Sequence, residues 1–175
     1  YHTDDLMVNL VTYRDDPELI KTLSEALLEE FPEITTIINN VNDTRSPTAV
    51  GRYENVIYGP GYITDKIGPY HFNINANAFF QTNTRQAERL YEKALDFAEL
   101  GTDETLYDLY CGVGTLSLFL SENARQVVGI ELVDVAIKNA RFNAKENGIE
   151  NVDFVKGDMK EVFNQDIVDR FGAPD

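Results

Sequence analysis

The first 75 residues contain short apolar runs and one amphipathic stretch. Leu6–Tyr13 is apolar and β-branched with partial alternation, which predicts a strand. Apolar residues then recur at helical spacing over residues 17–31, a stretch that begins with Pro17 and ends before Pro32. Further strands are predicted over residues 34–41 and around residues 56–58, 62–66 and 70–74, with a polar loop over residues 42–52. Residues 1–75 are therefore predicted to form a small α+β region.

A different pattern follows residue 75. A helix is predicted over residues 84–99, capped near Asn83 and Thr84. Strands over residues 105–110, 126–130 and 152–156 then alternate with helices over residues 115–121 and 133–147. Such alternation is typical of a parallel sheet covered by helices, so residues 76–175 are predicted to form an α/β domain. Three strands would leave this sheet unfinished, and we expect the chain to be a piece of a longer protein.

The composition excludes several classes of protein. The 175 residues are 43% hydrophobic, which is enough for a core, and no apolar run approaches the ~18 residues that span a bilayer. One cysteine excludes a disulfide framework, and the distant His2 and His71 argue against a metal site. We therefore expect a cytoplasmic protein without a bound metal.

The net charge of −15 bears on possible partners. An acidic surface repels nucleic acids and anionic membranes unless a local basic patch overrides it. In the upstream region, Arg45, Arg52 and Lys66 are the candidates for contact with phosphate. Taken alone, the charge fits an acidic, solvated surface.

The strongest local motif is Asp108–Thr115, which closes a predicted strand and opens a helix. Gly112 and Gly114 permit a tight turn and the close approach of a ligand. The third glycine of the dinucleotide fingerprint is absent, because Ser117 occupies that position. The motif by itself is only weak evidence for a nucleotide-like ligand.

Two acidic residues follow the next strands of the predicted sheet. Glu131 ends the second strand, where a carboxylate can accept hydrogen bonds from a ribose diol; alternatively it caps the helix that begins near Val133. Asp158 follows the third strand, where it can bind a purine amino group or be a plain loop residue. Between Arg89 and Arg125 the only base is Lys93, so a pyrophosphate would lack neutralisation. A nucleoside with a cationic group fits better, and S-adenosylmethionine (AdoMet) is such a ligand.

Three motifs together resemble the RNA uridine-5-methyltransferase family. They are Phe79-Phe80-Gln81-Thr82-Asn83, the run Asp108–Thr115 with the following Leu116-Ser117-Leu118, and Gly129-Ile130-Glu131. The first motif, F-x-Q-x-N, is the most specific, because generic class I methyltransferases lack it. The resemblance covers nearly the whole chain. It implies an incomplete Rossmann-like AdoMet domain after the α+β region, and methylation of C5 of a uridine in RNA. The favoured substrate is 23S ribosomal RNA, and transfer RNA stays open as the alternative.

The resemblance also implies a set of site residues. Gln81 would reach the methionine end of AdoMet, Tyr110 would close over the ligand, and Glu131 would hold its ribose. Further residues implied to line the pocket are Gly112, Gly114 and Asp158. Without the rest of the pattern, Gln81 and Asn83 would be interpreted as a polar cluster that caps the following helix.

The chain contains a single thiol, Cys111. The family's chemistry adds a thiolate to C6 of uracil, transfers the methyl group to C5, and removes the C5 proton with a base. The resemblance implies that the nucleophilic cysteine and the base lie beyond Asp175, and that Cys111 is a small packed residue. Two other hypotheses stay open: a class I methyltransferase that acts on a protein or small molecule, and an AdoMet-fold module without activity.

Overall fold

The computed structural model describes residues 2–43 and 51–174. They cluster into two compact units: one comprises the chain up to Thr64 together with Asn73–Asn77, and the other comprises Asp65–Phe72 and the chain from Ala78 onwards. We call these the first and the second unit. None of the helices in the described ranges has the length and apolar character required to cross a membrane.

The first unit is a small mixed sheet with one helix. Its elements are β1 (Met7–Thr12), α1 (Pro17–Glu30), β2 (Thr36–Val41) and β3 (Tyr53–Tyr58). The middle strand β2 pairs parallel with β1 and antiparallel with β3, and all six of its residues are buried. Helix α1 begins where the sequence predicts, because Asp16 accepts a hydrogen bond from the Leu19 amide and Pro17 occupies the first turn.

Two further strands form a hairpin whose residues are divided between the units. They are β4 (Tyr62–Ile67) and β5 (Tyr70–Asn75), which pair in a two-stranded sheet. Gly68, at a φ of 58°, lies in the turn between them, in a backbone conformation that glycine adopts without strain.

The second unit is a three-stranded parallel sheet with helices. Its elements are α2 (Thr84–Ala98), β6 (Thr105–Asp108), α3 (Thr115–Leu120) with a 3₁₀ turn (Ser121–Asn123), β7 (Gln126–Glu131), α4 (Asp134–Glu146), β8 (Val152–Lys156), α5 (Met159–Val162) and α6 (Gln165–Phe171). The strand order is β6-β7-β8, and both neighbours pair parallel with β7. Val127, Val128 and Ile130 of β7 are fully buried, as expected for the central strand.

The predicted end of the first parallel strand is wrong by two residues. The sequence pattern predicts a strand that continues to Tyr110, but β6 ends at Asp108. The Asp108 carboxylate accepts a hydrogen bond from the backbone of Tyr110, which draws the chain into a turn at this point. This local side-chain bond competes with continued sheet pairing.

Candidate functional site

The turn between β6 and α3 is built by its own backbone. The Cys111 amide donates to Ile130 O at 3.0 Å and so ties the turn to β7, and the Gly114 amide donates to Cys111 O at 2.8 Å. Gly112 and Gly114 have φ angles of 55° and 83°, in the region that residues with a Cβ rarely adopt. The turn therefore depends on glycine at both positions.

The two glycines have different surroundings. A Cβ on Gly112 would meet no atom within 4 Å, so its open side faces space that a ligand can fill. A Cβ on Gly114 would lie 2.9 Å from Phe154 Cζ and 3.2 Å from Ala140 Cβ. Gly114 thus lets the turn pack closely on the domain interior, whereas Gly112 keeps the backbone open to a ligand.

A cavity of about 220 Å³ lies beside this turn. The segment that contains the F-x-Q-x-N motif contributes Phe79, Phe80 and Gln81. The turn contributes Tyr110 and Gly112. Phe79 and Tyr110 are each 74% exposed, so two aromatic rings stand at the surface beside the cavity. No lysine or arginine of the described residues lines it.

Asp108 is the carboxylate that lines the cavity. Ser117 Oγ donates to its Oδ2 at 2.7 Å. Burial raises the pKa of Asp108 and the nearby Glu131 carboxylate raises it further, while hydrogen bonds from Ser117 and the Tyr110 backbone oppose the shift. The wall of the cavity thus carries an acidic group whose charge a bound cation would stabilise.

Glu131 braces two backbone segments at the end of β7. Its Oε2 accepts from the Gly112 amide at 3.2 Å, and its Oε1 accepts from the Val133 amide at 2.8 Å. The second bond is the helix-capping contact that the sequence left open as an alternative. The first bond places the carboxylate directly behind the glycine turn, so Glu131 positions the loop that borders the cavity.

Cys111 is 5% exposed and belongs to the core. Burial raises the pKa of its thiol, and the carboxylates of Asp108 and Glu131 raise it further. Because the thiolate is the nucleophilic form, this environment disfavours covalent chemistry at Cys111.

The sequence-predicted residues divide into two groups in the structure. Gln81, Tyr110 and Gly112 line the same cavity, and Glu131 bonds to one of them. Gly114 lies beneath the turn, while exposed Asp158 accepts a hydrogen bond from the Lys160 amide at 2.9 Å and begins α5. Neither of these two residues borders the cavity. Glu131 does not line it either, and the roles of all six predicted residues towards a ligand stay predictions.

Sequence reasoning missed Tyr91. This residue lies on the apolar face of α2, where the pattern predicts a core position, yet it lines the cavity and its hydroxyl lies 2.9 Å from Thr115 Oγ1. A buried tyrosine generally needs a partner for its hydroxyl, which is the signal that would have pointed to a polar neighbour. Asn83, in contrast, is the N-cap of α2 and accepts from the Gln86 amide.

The structure describes two of the three upstream bases proposed for phosphate contact, Arg52 and Lys66. Arg52 forms an ion pair with Asp43 at 3.0 Å, so its charge is already matched. Arg45 lies outside the described residues. Arg52 therefore adds little support for an RNA-binding surface in this region.

Comparisons with known proteins agree on one family. A family model described as tRNA (Uracil-5-)-methyltransferase matches residues 18–170. An uncharacterized RNA methyltransferase of Chlorobaculum tepidum is 44% identical over 158 residues, which cover 90% of this chain and 33% of the relative. Another, from Porphyromonas gingivalis, is 42% identical over 174 residues, which cover 99% of this chain and 37% of the relative. The chain thus spans about a third of the length of these relatives.

Solved structures give the same fold. The crystal structure of Pyrococcus abyssi tRNA (uracil-54, C5)-methyltransferase in complex with S-adenosyl-L-homocysteine matches with a TM-score of 0.69 and 28% identity, covering 89% of this chain and 36% of that chain. A Methanocaldococcus jannaschii tRNA m1G37 methyltransferase matches with a TM-score of 0.58 at 17% identity, covering 93% of this chain and 46% of that chain, which shows the fold alone. The predicted Rossmann-like methyltransferase fold is confirmed.

Proposed function

Because this chain belongs to the tRNA (uracil-5-)-methyltransferase family, we propose that the protein containing it is an enzyme that methylates C5 of a uridine in RNA, with AdoMet as the methyl donor. The observation that carries the proposal is the single cavity that brings Gln81, Tyr110 and Gly112 together beside half-buried Asp108. Those residues come from motifs separated in sequence, and the family resemblance assigns three of them to one ligand.

The residues around the cavity fit AdoMet in three respects. The open side of Gly112 provides room for a ligand where any Cβ would stand. Asp108 supplies a negative charge suited to a sulfonium, and among the described residues none that lines the cavity is a base that a phosphate would need. Tyr110 is exposed enough to fold over a bound group. Bound AdoMet supplies an electrophilic methyl group.

We assign roles to the chain's own residues from this arrangement. Gln81 holds the methionine end, Tyr110 covers the ligand and excludes water, and Glu131 accepts hydrogen bonds from the ribose while it keeps the Gly112 turn in place. Gly114 supports the turn from below, and Asp158 is assigned to the adenine amino group. The nucleophilic thiolate and the base are assigned to segments of the longer protein, because burial suppresses ionisation of Cys111.

Two RNA classes are candidate substrates. The resemblance of the motifs favours a uridine of 23S ribosomal RNA, which we propose as the first substrate to test. Transfer RNA is the second candidate, favoured by the description of the family and by the Pyrococcus abyssi enzyme that matches this chain.

The test uses the full-length protein with radiolabelled AdoMet and unmodified 23S ribosomal RNA and transfer RNA, followed by nucleoside analysis of the product. The expected result is labelled 5-methyluridine in one RNA. The 175-residue chain is the matched control and should yield none, since loss of a covalent nucleophile costs several orders of magnitude in rate. Label at another position or on protein would overturn the proposal, and 5-methyluridine made by the control would make Cys111 the nucleophile.

A further inference from the structure

A second cleft of the second unit contains a concentration of positive charge. None of the residues that line it lines the proposed AdoMet cavity. The cleft measures about 560 Å³ and lies between α4, β8 and α6. Four basic residues line it: Arg141, Lys145, Lys156 and Arg170. Two acidic residues, Glu150 and Asp153, also line it, so the cationic side chains outnumber the carboxylates two to one. The chain as a whole has the opposite balance, with 30 acidic and 15 basic residues.

Three of these cations are held in place by neighbours within the unit. Arg141 donates to Phe154 O of β8 at 2.7 Å, and the Arg170 guanidinium lies 4.6 Å from the Phe171 ring centre. Lys156 bonds Asp134 at 2.9 Å. Because their positions are restricted before a ligand arrives, less conformational entropy is lost when they bind one.

The contacts still leave charge available for an anion. The Arg141 partner is a neutral carbonyl and the Arg170 partner is an aromatic ring, so neither guanidinium is neutralised by these contacts. Asp134 is shared between Lys156 and Lys138, at 2.9 and 2.7 Å, so two lysines face one carboxylate. All four lining bases are exposed, and the cleft can therefore present several cations to one chain of phosphates.

We propose that this cleft binds the phosphate backbone of the RNA substrate, away from the modified uridine. The inference rests on the proposed RNA substrate and adds a docking surface to it. A phosphodiester backbone fits because it carries one charge per nucleotide, while the cleft offers cations from three elements of the chain, α4, β8 and α6. The overall charge of −15 repels RNA, and the cleft supplies the local reversal of sign that such a protein requires.

The experiment compares two double variants of the full-length protein. Lys145→Gln with Arg170→Gln removes two cations from the cleft that make no ion pair in the described structure. Lys21→Gln with Lys93→Gln removes two exposed lysines elsewhere and produces the same change in net charge. RNA affinity is measured over a range of salt concentrations, together with AdoMet affinity and the thermal unfolding of each protein.

The expected result is specific to the cleft. The cleft variant should bind RNA about tenfold more weakly, and the slope of log K against log salt should fall by about 0.7 for each lost phosphate contact with a single strand. Its AdoMet affinity and its kcat at saturating RNA should equal those of the wild type. The control variant should keep the wild-type slope. Should Lys145→Gln with Arg170→Gln fail to fold, the exposed single variant Lys145→Gln tests the same slope.

Three results would overturn the inference. The first is an equal loss of affinity and slope in both double variants, which would reduce the effect to net charge. The second is competition by poly-glutamate as effective as that by RNA, which would make the cleft a general polyanion surface. The third is saturation of the cleft by inorganic phosphate. Inorganic phosphate at constant ionic strength distinguishes the source of the anion, since only a free-phosphate site would be saturated by it and would overturn the RNA assignment. Formation of 5-methyluridine is scored separately, so its absence would refute the proposed function without deciding the RNA-binding result.

Discussion

Two buried serines, one in each unit, differ in how their hydroxyls are satisfied. Ser24 of α1 and Ser117 of α3 are 4% and 0% exposed. Ser117 Oγ donates to Asp108 at 2.7 Å, whereas Ser24 Oγ has no hydrogen-bond partner within residues 2–43 and 51–174. A buried polar group without a partner costs about 1–3 kcal/mol, so the same residue type stabilises one unit and destabilises the other.

The difference extends to the cavity that Ser24 lines and to the candidate site, where Ser117 bonds the lining residue Asp108. Ser24 and Asn39 line a cavity of about 480 Å³ in the first unit, where Asn39 Oδ1 also lacks a partner in the described structure. The Asn39 amide group itself donates to Leu10 O and Thr12 Oγ1, both at 2.9 Å, so the orphaned oxygen is held in place. In the second unit, Asp108 and Glu131 accept bonds from the turn that they support. The hydrogen bonds of Asp108 and Glu131 thus support the candidate site of the second unit, although Thr84 Oγ1 and Asn139 Nδ2 of that unit also lack a partner among the described residues.

The largest expected effect concerns Gly114 of the second unit. Gly114→Ala should destabilise the unit by about 2–5 kcal/mol, because positive φ costs about 1–2 kcal/mol and overpacking against Phe154 costs about 1–3 kcal/mol. Gly112→Ala is the matched control, with the φ cost alone, but it should weaken AdoMet binding because its new methyl group stands in the open space. Denaturant unfolding and calorimetry separate the two effects. Equal loss of stability in both variants would contradict the packing role of Gly114.

The next largest effect concerns Glu131, which accepts a hydrogen bond from the Gly112 amide of the glycine turn. Glu131→Ala should weaken AdoMet binding to the full-length protein by about 1.5–3 kcal/mol, the range for hydrogen bonds to a charged group. Glu146→Ala, which removes an exposed carboxylate of α4, is the control and should bind AdoMet normally. Calorimetry measures both, with thermal unfolding to verify the fold. An unchanged affinity in Glu131→Ala would exclude the ribose role.

The serine pair tests the comparison directly. Ser117→Ala should destabilise the second unit by about 1–3 kcal/mol, because it removes the hydroxyl donor of the half-buried Asp108 carboxylate. Ser24→Ala should stabilise the first unit by about 0.5–1 kcal/mol, since alanine is the better helix former and no hydrogen bond is lost. Hydrogen exchange of the amides in α3 and α1 reports the two units separately. Effects of the same sign would remove the contrast between them.

The smallest effect is expected at Cys111. Cys111→Ser in the full-length protein should keep methyl transfer and the covalent adduct with 5-fluorouridine RNA, with a stability loss of about 1 kcal/mol for a buried hydroxyl. The reason is that burial and two carboxylates raise the pKa of the thiol and hold it protonated. Gel analysis of the adduct is the measurement. Loss of the adduct while AdoMet still binds would identify Cys111 as the nucleophile.

Hydrophobic periodicity along the chain predicts the elements of the parallel sheet. Strand β8 has the predicted bounds, residues 152–156, and α2 begins at Thr84 as expected. These elements are predictable because burial of a whole strand or of one helix face leaves a periodic pattern in the sequence. The end of β6 is not predictable in this way. The residues around Tyr110 continue the apolar pattern, but the Asp108 carboxylate accepts a hydrogen bond from the Tyr110 backbone. The domain boundary at residue 75 stays a prediction.

The candidate site is predictable where its residues belong to motifs. Gln81, Tyr110 and Gly112 all lie in motifs, and the structure brings them to one cavity. Tyr91 escapes prediction, since a tyrosine on an apolar helix face has the same pattern whether it packs in a core or borders a ligand.

The sequence by itself determined the glycine turn, the acidic residues that follow the strands and the family to which the chain belongs, because these features are contiguous along the chain. Tertiary structure alone decided that Gly114 supports packing while Gly112 faces open space. It also decided that Arg141, Lys145, Lys156 and Arg170 share one cleft although the chain is strongly acidic. The physical reason is that steric contact and electrostatic potential depend on distance in space, and the fold brings together residues that the sequence separates.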